Sequence, residues 1–293
     1  MAQPTMTSLA ELVAGWAPGP VEVTDRIAPW PVAAFAALLD QPEPDDGELP
    51  PLWHWFSFLD AAPQSALGED GHPADGHFLP PIPDRRRMFA GGRLEFRAPL
   101  RIGAGVVRRT RLTSVQPKSG RSGELLFVTV RSELDSGGAV AVVEEQDIVY
   151  RQQTAGATPA RSGELPDAGP PAALPDGAWR LTLDPDPRLL FRFSALTYNS
   201  HRIHYDQPYA TGVERYPGLV VHGPLLALLL LELPRRAAPE RRVAAFEYRL
   251  QRPAFAGRPV VADGIPDGDD GVQVTAGVPG QLPSATGRIR LGA

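Results

Sequence analysis

The sequence VHGPLLALLLLEL (residues 221–233) predicts a helix, and the rest of the architecture follows from where that helix must sit. Proline is favoured in a first helical turn, where its missing N–H costs nothing, so the helix starts near Gly223. From Leu225 to Leu233 nearly every residue is Leu or Ala, and such a helix has no polar face to show to water. It must be wrapped by other elements. The apolar run 224–233 is about half of the ~20 residues needed to cross a bilayer, so a buried helix of a globular protein is expected and no membrane partner.

What wraps it is legible downstream. RRVAAFEYRLQRPAF, RPVVADGI, GVQVTAGV and ATGRIRL are four strand-like runs, and upstream WRLTL and LLFRFSALTYN read as strand or strand approach. The first half has the same texture. A helix-spaced segment, WPVAAFAALLD (30–40), precedes GRLEFRAPLRI, GVVRRTRLTSVQ, ELLFVTVRSEL and AVAVVEEQDIVYR, which are broken by the turn sequences GAG, KSGRSG and DSGG. Between the halves, residues 152–178 carry no periodicity and much Ala, Pro and Gly, and read as a linker. The predicted class is α+β: one unit in 1–151 and a second in 179–293, each an antiparallel meander following a helix. At the very start, Ser8 and Glu11 have the spacing of a capping box for a short helix over 8–16.

Bulk composition narrows the function. The 293 residues contain no cysteine, which removes disulfides, thiolate catalysis and Cys-ligated zinc. A net charge of −5 argues against a nucleic-acid partner, and the basic runs PDRRRM (83–88) and PERRV (239–243) read as solvated element ends. They are also the first arginines to examine if a ligand carries phosphates. No basic segment followed by an apolar core opens the chain, so a cytoplasmic location is expected.

The chemistry concentrates in RFSALTYNSHRIHYDQPYA (192–210) and the start of the apolar helix. His201, His204 and His222 are half of the six histidines. A buried helix start offers unpaired N–H groups and positive potential, and Gly223 lets a ligand approach closely, which suits an oxyanion such as a thioester enolate. A structural cap on a core helix explains the same residues. For the histidines three readings stand: a metal site with Asp206, polar groups satisfying a loop, or general acid/base work beside Tyr198, Asn199 and Ser200. The spacing is not a strong metal signature.

LTYNSHRIHYDQPYA followed by GLVVHGPL resembles the MaoC-like, R-specific enoyl-thioester hydratases of the hot dog fold, whose signature runs Gly-Asp-x-Asn-Pro-(Leu/Ile/Val)-His-x-Asp. His204 and Asp206 fall on the histidine and closing aspartate of that signature, and Ile203 on its aliphatic position. Tyr198 stands for the glycine, Asn199 for the catalytic aspartate, His201 for the asparagine and Arg202 for the proline. With MFAGGRLEF, EEQDIVYR and YPGLVVHGPL, the variant is most similar to the branch of type 2 hydroxyacyl-thioester dehydratases and mesaconyl- or itaconyl-thioester hydratases.

That resemblance implies a double hot dog, two antiparallel sheets each wrapped on a central helix, in which the C-terminal unit carries the motif. The N-terminal unit would be a degenerate copy that shapes the acyl pocket. It implies reversible hydration of a 2-enoyl thioester of CoA or acyl carrier protein, without metal or other cofactor, in a homo-oligomer. His204 would move the proton, alone or with Asp206 or His201 in place of the family aspartate; the Gly223 N–H would polarise the carbonyl, and Asn199, which cannot be a base, would orient the water. Tyr198, His201, Asp206 and His222 would line the substrate, and Arg202 would either meet the carboxylate of a dicarboxylic acyl group or salt-bridge Asp206 or a helix end. Two alternatives remain, a hot dog thioesterase using Glu232 and a non-catalytic acyl-CoA-binding protein.

Overall fold

The first helix shows how local chemistry starts the fold. In the computed structural model, which describes residues 7–120, 123–152 and 163–292, Ser8 and Glu11 close a reciprocal capping box on α1 (Leu9–Leu12). Strand β1 (Val21–Arg26), which the sequence reading did not single out, leads into α2 (Pro29–Leu38). The four expected strands follow as β2 (Arg85–Phe96), β3 (Gly105–Gly120), β4 (Gly123–Ser136) and β5 (Ala139–Gln152). Residues 121 and 122 of the KSGRSG turn, and 153–162 of the linker, lie outside the described residues. From 163 the linker runs without helix or strand, held where Gly169 N–H donates to the Pro279 carbonyl.

The second half opens with β6 (Trp179–Leu183), and here one expectation fails. LLFRFSALTYN (189–199), read as strand or strand approach, lies mostly within the helix α3 (Pro187–Thr197). The Asp186 side chain caps it by accepting from Leu189 N–H, and Pro187 sits where proline is best tolerated. Leu190, Phe193, Ser194 and Leu196 are buried at helical spacing, so the aromatic content belongs to one face of a helix. Then come α4 (Gln207–Gly212), α5 (Gly223–Ala237), β7 (Val243–Leu250), β8 (Val260–Asp267), β9 (Gly271–Gly277) and β10 (Ala285–Leu291). Every residue of α5 from Leu225 to Pro234 is buried, as its composition required.

Strand order exposes the duplication. The N-terminal strands lie β1-β3-β4-β5-β2 and the C-terminal ones β6-β8-β9-β10-β7, the same order with the helical segment after the first strand. This is the double hot dog. The two halves are joined edge to edge, since β2 pairs antiparallel with β7 to make one ten-stranded sheet. At this seam Gly91 opposes Arg249 and Gly92 opposes Tyr248. A Cβ on Gly91 would lie 2.3 Å from the Tyr248 carbonyl oxygen, and φ there is +153°.

Gly91→Ala should therefore lower stability by on the order of 1–3 kcal/mol, because backbone must move. Gly105→Ala, where a Cβ meets nothing within 4 Å, should not. Urea unfolding of the two variants distinguishes a strained seam from a general intolerance of alanine in this sheet.

Candidate active site

Three segments converge on one cleft. The motif loop 198–206 connects α3 to α4, the start of α5 lies behind it, and residues 68–72 arrive from the N-terminal half. The loop turns at Tyr198, which adopts φ +49° at the end of α3, the left-handed conformation that a glycine takes without cost. The glycine of the family signature falls on this position. Asn199 Oδ1 then accepts from His201 N–H at 3.0 Å, which shapes the turn and leaves its Nδ2 donor, with the second Oδ1 lone pair, for a ligand.

His204 is buried, and its Nδ1–H donates to the Val220 carbonyl at 2.7 Å. A carbonyl only accepts, so this bond fixes the tautomer and leaves the Nε2 lone pair unprotonated. Burial pushes its pKa down to about 4, against the Val220 bond, so at neutral pH the ring is an uncharged base. His222, fully buried, stacks on it with centroids 3.7 Å apart and shares a 2.9 Å hydrogen bond with Ser194 through Nε2. Burial, then the charges of His204 and His201, holds His222 well below the usual range. His201 stands edge-on to His204 at 5.4 Å, and burial followed by repulsion from His72 and His204 takes it down to about 2.

The N-terminal half is expected to shape the pocket, but no local pattern singles out the residues it brings beside the histidines. His72 packs its ring 4.1 Å from His201, and its Nδ1 bonds Asp70 Oδ2 at 2.9 Å. Burial raises the pKa of Asp70, but the hydrogen bond and charge of His72 outweigh it and bring the carboxyl to about 2. The 68–72 loop is docked by Ser200 Oγ donating to the Gly71 carbonyl and by Arg202 N–H donating to the Asp70 carbonyl. A Cβ on Gly71 would lie 1.9 Å from the Ser200 oxygen, so no side chain fits there. Asp70, His72 and His201 also place three ligating atoms within 4.8 Å of one another, although Asp70 already spends one oxygen on His72.

Three expected substrate contacts do not reach the cleft. Arg202 donates through Nε and NH2 to Asp206 Oδ2 at 2.9 and 2.8 Å, donates through NH1 to the Glu69 carbonyl, and lies over the Tyr209 ring. All three of its guanidinium nitrogens are engaged and it does not line the cleft, so it is not placed to clamp an acyl carboxylate. Asp206 itself caps α4 by accepting from Tyr209 N–H. His222 lies behind His204 as its stacking partner. Asn199, His201, His204 and Gly223 do line the cleft, which has a volume of about 1410 Å³, and Tyr198 stands exposed at its wall. Gly223 heads α5, where its N–H has no helical acceptor, and a Cβ there would lie 2.5 Å from Leu250 Cδ1.

Comparison with known proteins agrees with this geometry. Residues 52–256 match the family described as hydroxyacyl-thioester dehydratase type 2. The mesaconyl-C(4)-CoA hydratase of Chloroflexus aurantiacus is 49% identical over 251 residues, which cover 85% of this chain and 87% of that one. The mitochondrial hydroxyacyl-thioester dehydratase type 2 of Schizosaccharomyces pombe is 30% identical over 240 residues, 72% and 76% of the two chains. A solved MaoC-like dehydratase from Phytophthora capsici superposes with a TM-score of 0.67 over 98% of this chain and 99% of that one, at 13% identity, and shares the fold. A double hot dog with a neutral histidine beside a helix-start amide belongs to the acyl-thioester hydro-lyases. Within them, this chain is a member of the hydroxyacyl-thioester dehydratase type 2 family.

The buried histidines also predict an acid limit to stability. Each binds a proton less readily folded than unfolded, so the stability they contribute is complete above about pH 6.5 and lost as pH falls, for His204 down to about 4. For His204 this is on the order of 3 kcal/mol. Urea unfolding at pH 7.5 and 4.5 should show a large acid-side loss in the native protein and a smaller one in His204→Gln. Equal losses would mean that His204 is not held neutral by the fold.

Proposed function

We propose that this chain reversibly adds water to a branched dicarboxylic 2-enoyl-CoA of the mesaconyl type, giving a 3-hydroxyacyl thioester such as citramalyl-CoA. The observation that carries the reading is His204, held neutral with Nε2 facing the cleft that Gly223 also lines. The identity to a mesaconyl-C(4)-CoA hydratase supports the acyl class and CoA as the carrier. None of the described helices is long and apolar enough to cross a membrane, which fits a CoA thioester met in the cytoplasm.

In this mechanism the thioester carbonyl accepts from Gly223 N–H, where the helix start stabilises the developing enolate oxygen. His204 Nε2 takes a proton from water as the hydroxyl bonds to Cβ, and the imidazolium returns that proton to Cα. One water adds, no electrons are exchanged, and dehydration is the same path reversed. Asn199 Nδ2 and His201 orient the water. The division into a C-terminal unit bearing the motif and an N-terminal unit that completes the cleft belongs to the same reading.

The thioesterase alternative loses its candidate carboxylate. Glu232 is buried in α5, accepting from Trp53 Nε1 at 3.2 Å and from Arg235 at 2.9 Å, and it does not line the cleft. Purified protein given a panel of enoyl-CoA thioesters should consume the conjugated double bond, and His204→Ala should slow this by about 10²–10⁴-fold. Treatment with a chelator should leave the rate unchanged. Release of free CoA without hydration would favour the thioesterase, and tight binding with neither reaction would favour a carrier protein.

A further inference from the structure

Mesaconyl bound through C4 carries its free carboxylate on the carbon that receives the hydroxyl, so a cation that recognises it must stand beside the histidines. Arg202 is engaged elsewhere. Arg85, Arg86, Arg87, Arg108 and Arg252 all line the cleft, and their surroundings separate them. Arg85 donates to the backbone carbonyls of Ala74 and Ile82. Arg87 sits with Arg85 beside the Tyr150 hydroxyl. Arg108 lies over the Phe58 ring, its buried Nε has no partner among the described residues, and it feels the charges of Glu144, Asp60 and Asp25, all of the N-terminal half, which makes it the competitor that the test below must separate. Arg252 follows β7, out at the solvent-exposed rim. Arg86 reaches across from the N-terminal half to Glu214 and Tyr216, which lie between the motif loop and α5, and its charge acts on His201.

Its setting is built. On one side the Arg86 NH2 group donates to the Glu214 carboxylate and, at 3.0 Å, to the Tyr216 hydroxyl, and the guanidinium approaches the Tyr216 ring at 5.7 Å. Glu214 and Tyr216 line the cleft with it. The side chain is about four-fifths covered, with 22% of its surface open, and among the described residues Nε and NH1 have no protein acceptor. A guanidinium fixed by one nitrogen, with two donors left over beside the acid/base histidines, is arranged to receive an anion. Glu214 offsets part of its charge, so the selectivity comes from placed donors in a partly dry cleft more than from net potential.

We propose that Arg86 is the carboxylate-binding group of the site, selecting 2-enoyl thioesters that carry a carboxylate on the carbon to be hydrated. This rests on the hydratase reading above. The test compares kcat/KM for mesaconyl-C4-CoA and crotonyl-CoA, with inhibition constants for succinyl-CoA and butyryl-CoA as the binding counterpart. Arg86→Gln should lower kcat/KM on the dicarboxylic thioester by about 10- to 100-fold, mainly through KM, with a loss on crotonyl-CoA several-fold smaller. It should weaken succinyl-CoA more than butyryl-CoA, and Arg86→Lys should recover part of both effects. If Glu214, left unpaired, destabilises that variant, the double change Arg86→Gln/Glu214→Gln removes the stranded charge and carries the same expectation. Equal losses on both thioesters, or the selectivity change appearing in Arg108→Gln instead, would overturn the assignment. Wild-type protein that hydrates neither thioester would overturn the hydratase reading, and this proposal with it.

Discussion

The pairing of β2 with β7 is the constraint on which the site depends. Two five-stranded sheets of like order would each leave an unpaired edge, and joining them there satisfies both rows of backbone groups at once. The join also sets what faces the cleft. Along β7, Leu250 lies against the start of α5, and along β2, Arg86 precedes a bulge between Phe89 and Gly91. Without the close approach that Gly91 and Gly92 permit, the histidines of one half and the arginine of the other would not share a wall.

Inside the cleft, burial decides protonation. Three imidazoles within stacking or edge contact would repel strongly if charged, and desolvation keeps them neutral. The cost is basicity: a histidine held at about 4 is a weaker base than one at 6.5. Catalysis then leans on the electrophile. In the proposed mechanism, polarisation of the thioester by the Gly223 amide, at a helix start surrounded by apolar side chains, supplies what the weakened base does not. His222 contributes by occupying the space behind His204 with a flat uncharged ring, even though its own Nδ1 finds no partner among the described residues.

Much of this was legible in the sequence, and the failures have physical causes. The strands of both meanders and the buried α5 followed from alternation and from an all-apolar run, which only one environment suits. Segment 189–199 was misread because Phe191 and Phe193 resemble strand composition, while the Asp186-Pro187 start signal and the helical spacing of its buried residues outweighed them. Of the motif residues, Tyr198, Asn199, His201, His204 and Gly223 all line one cleft. Of the two roles open to Arg202, the structure shows the ion pair with Asp206, at the i,i+4 spacing that lets the guanidinium reach back to the carboxylate that caps α4. Asp70 and His72 lie about 130 positions from the residues they touch, and no local pattern announces such a contact.

That contact changes the meaning of the N-terminal half. A degenerate copy that only shaped a pocket would tolerate a loose fit, yet Gly71 meets Ser200 with no room for a methyl group. The Asp70–His72 pair reaches His201, and Arg86 crosses to Glu214 and Tyr216 of the second half. In the family signature one aspartate shares the work of the histidine, and here that position is Asn199, occupied in holding the turn. The polar groups around the reacting carbon therefore come from both halves, and neither half alone encloses a complete site. On the mechanism proposed above, the proton-transfer histidine belongs to one copy and the recognition groups to the other, and a shared sheet is what holds two such copies in one register.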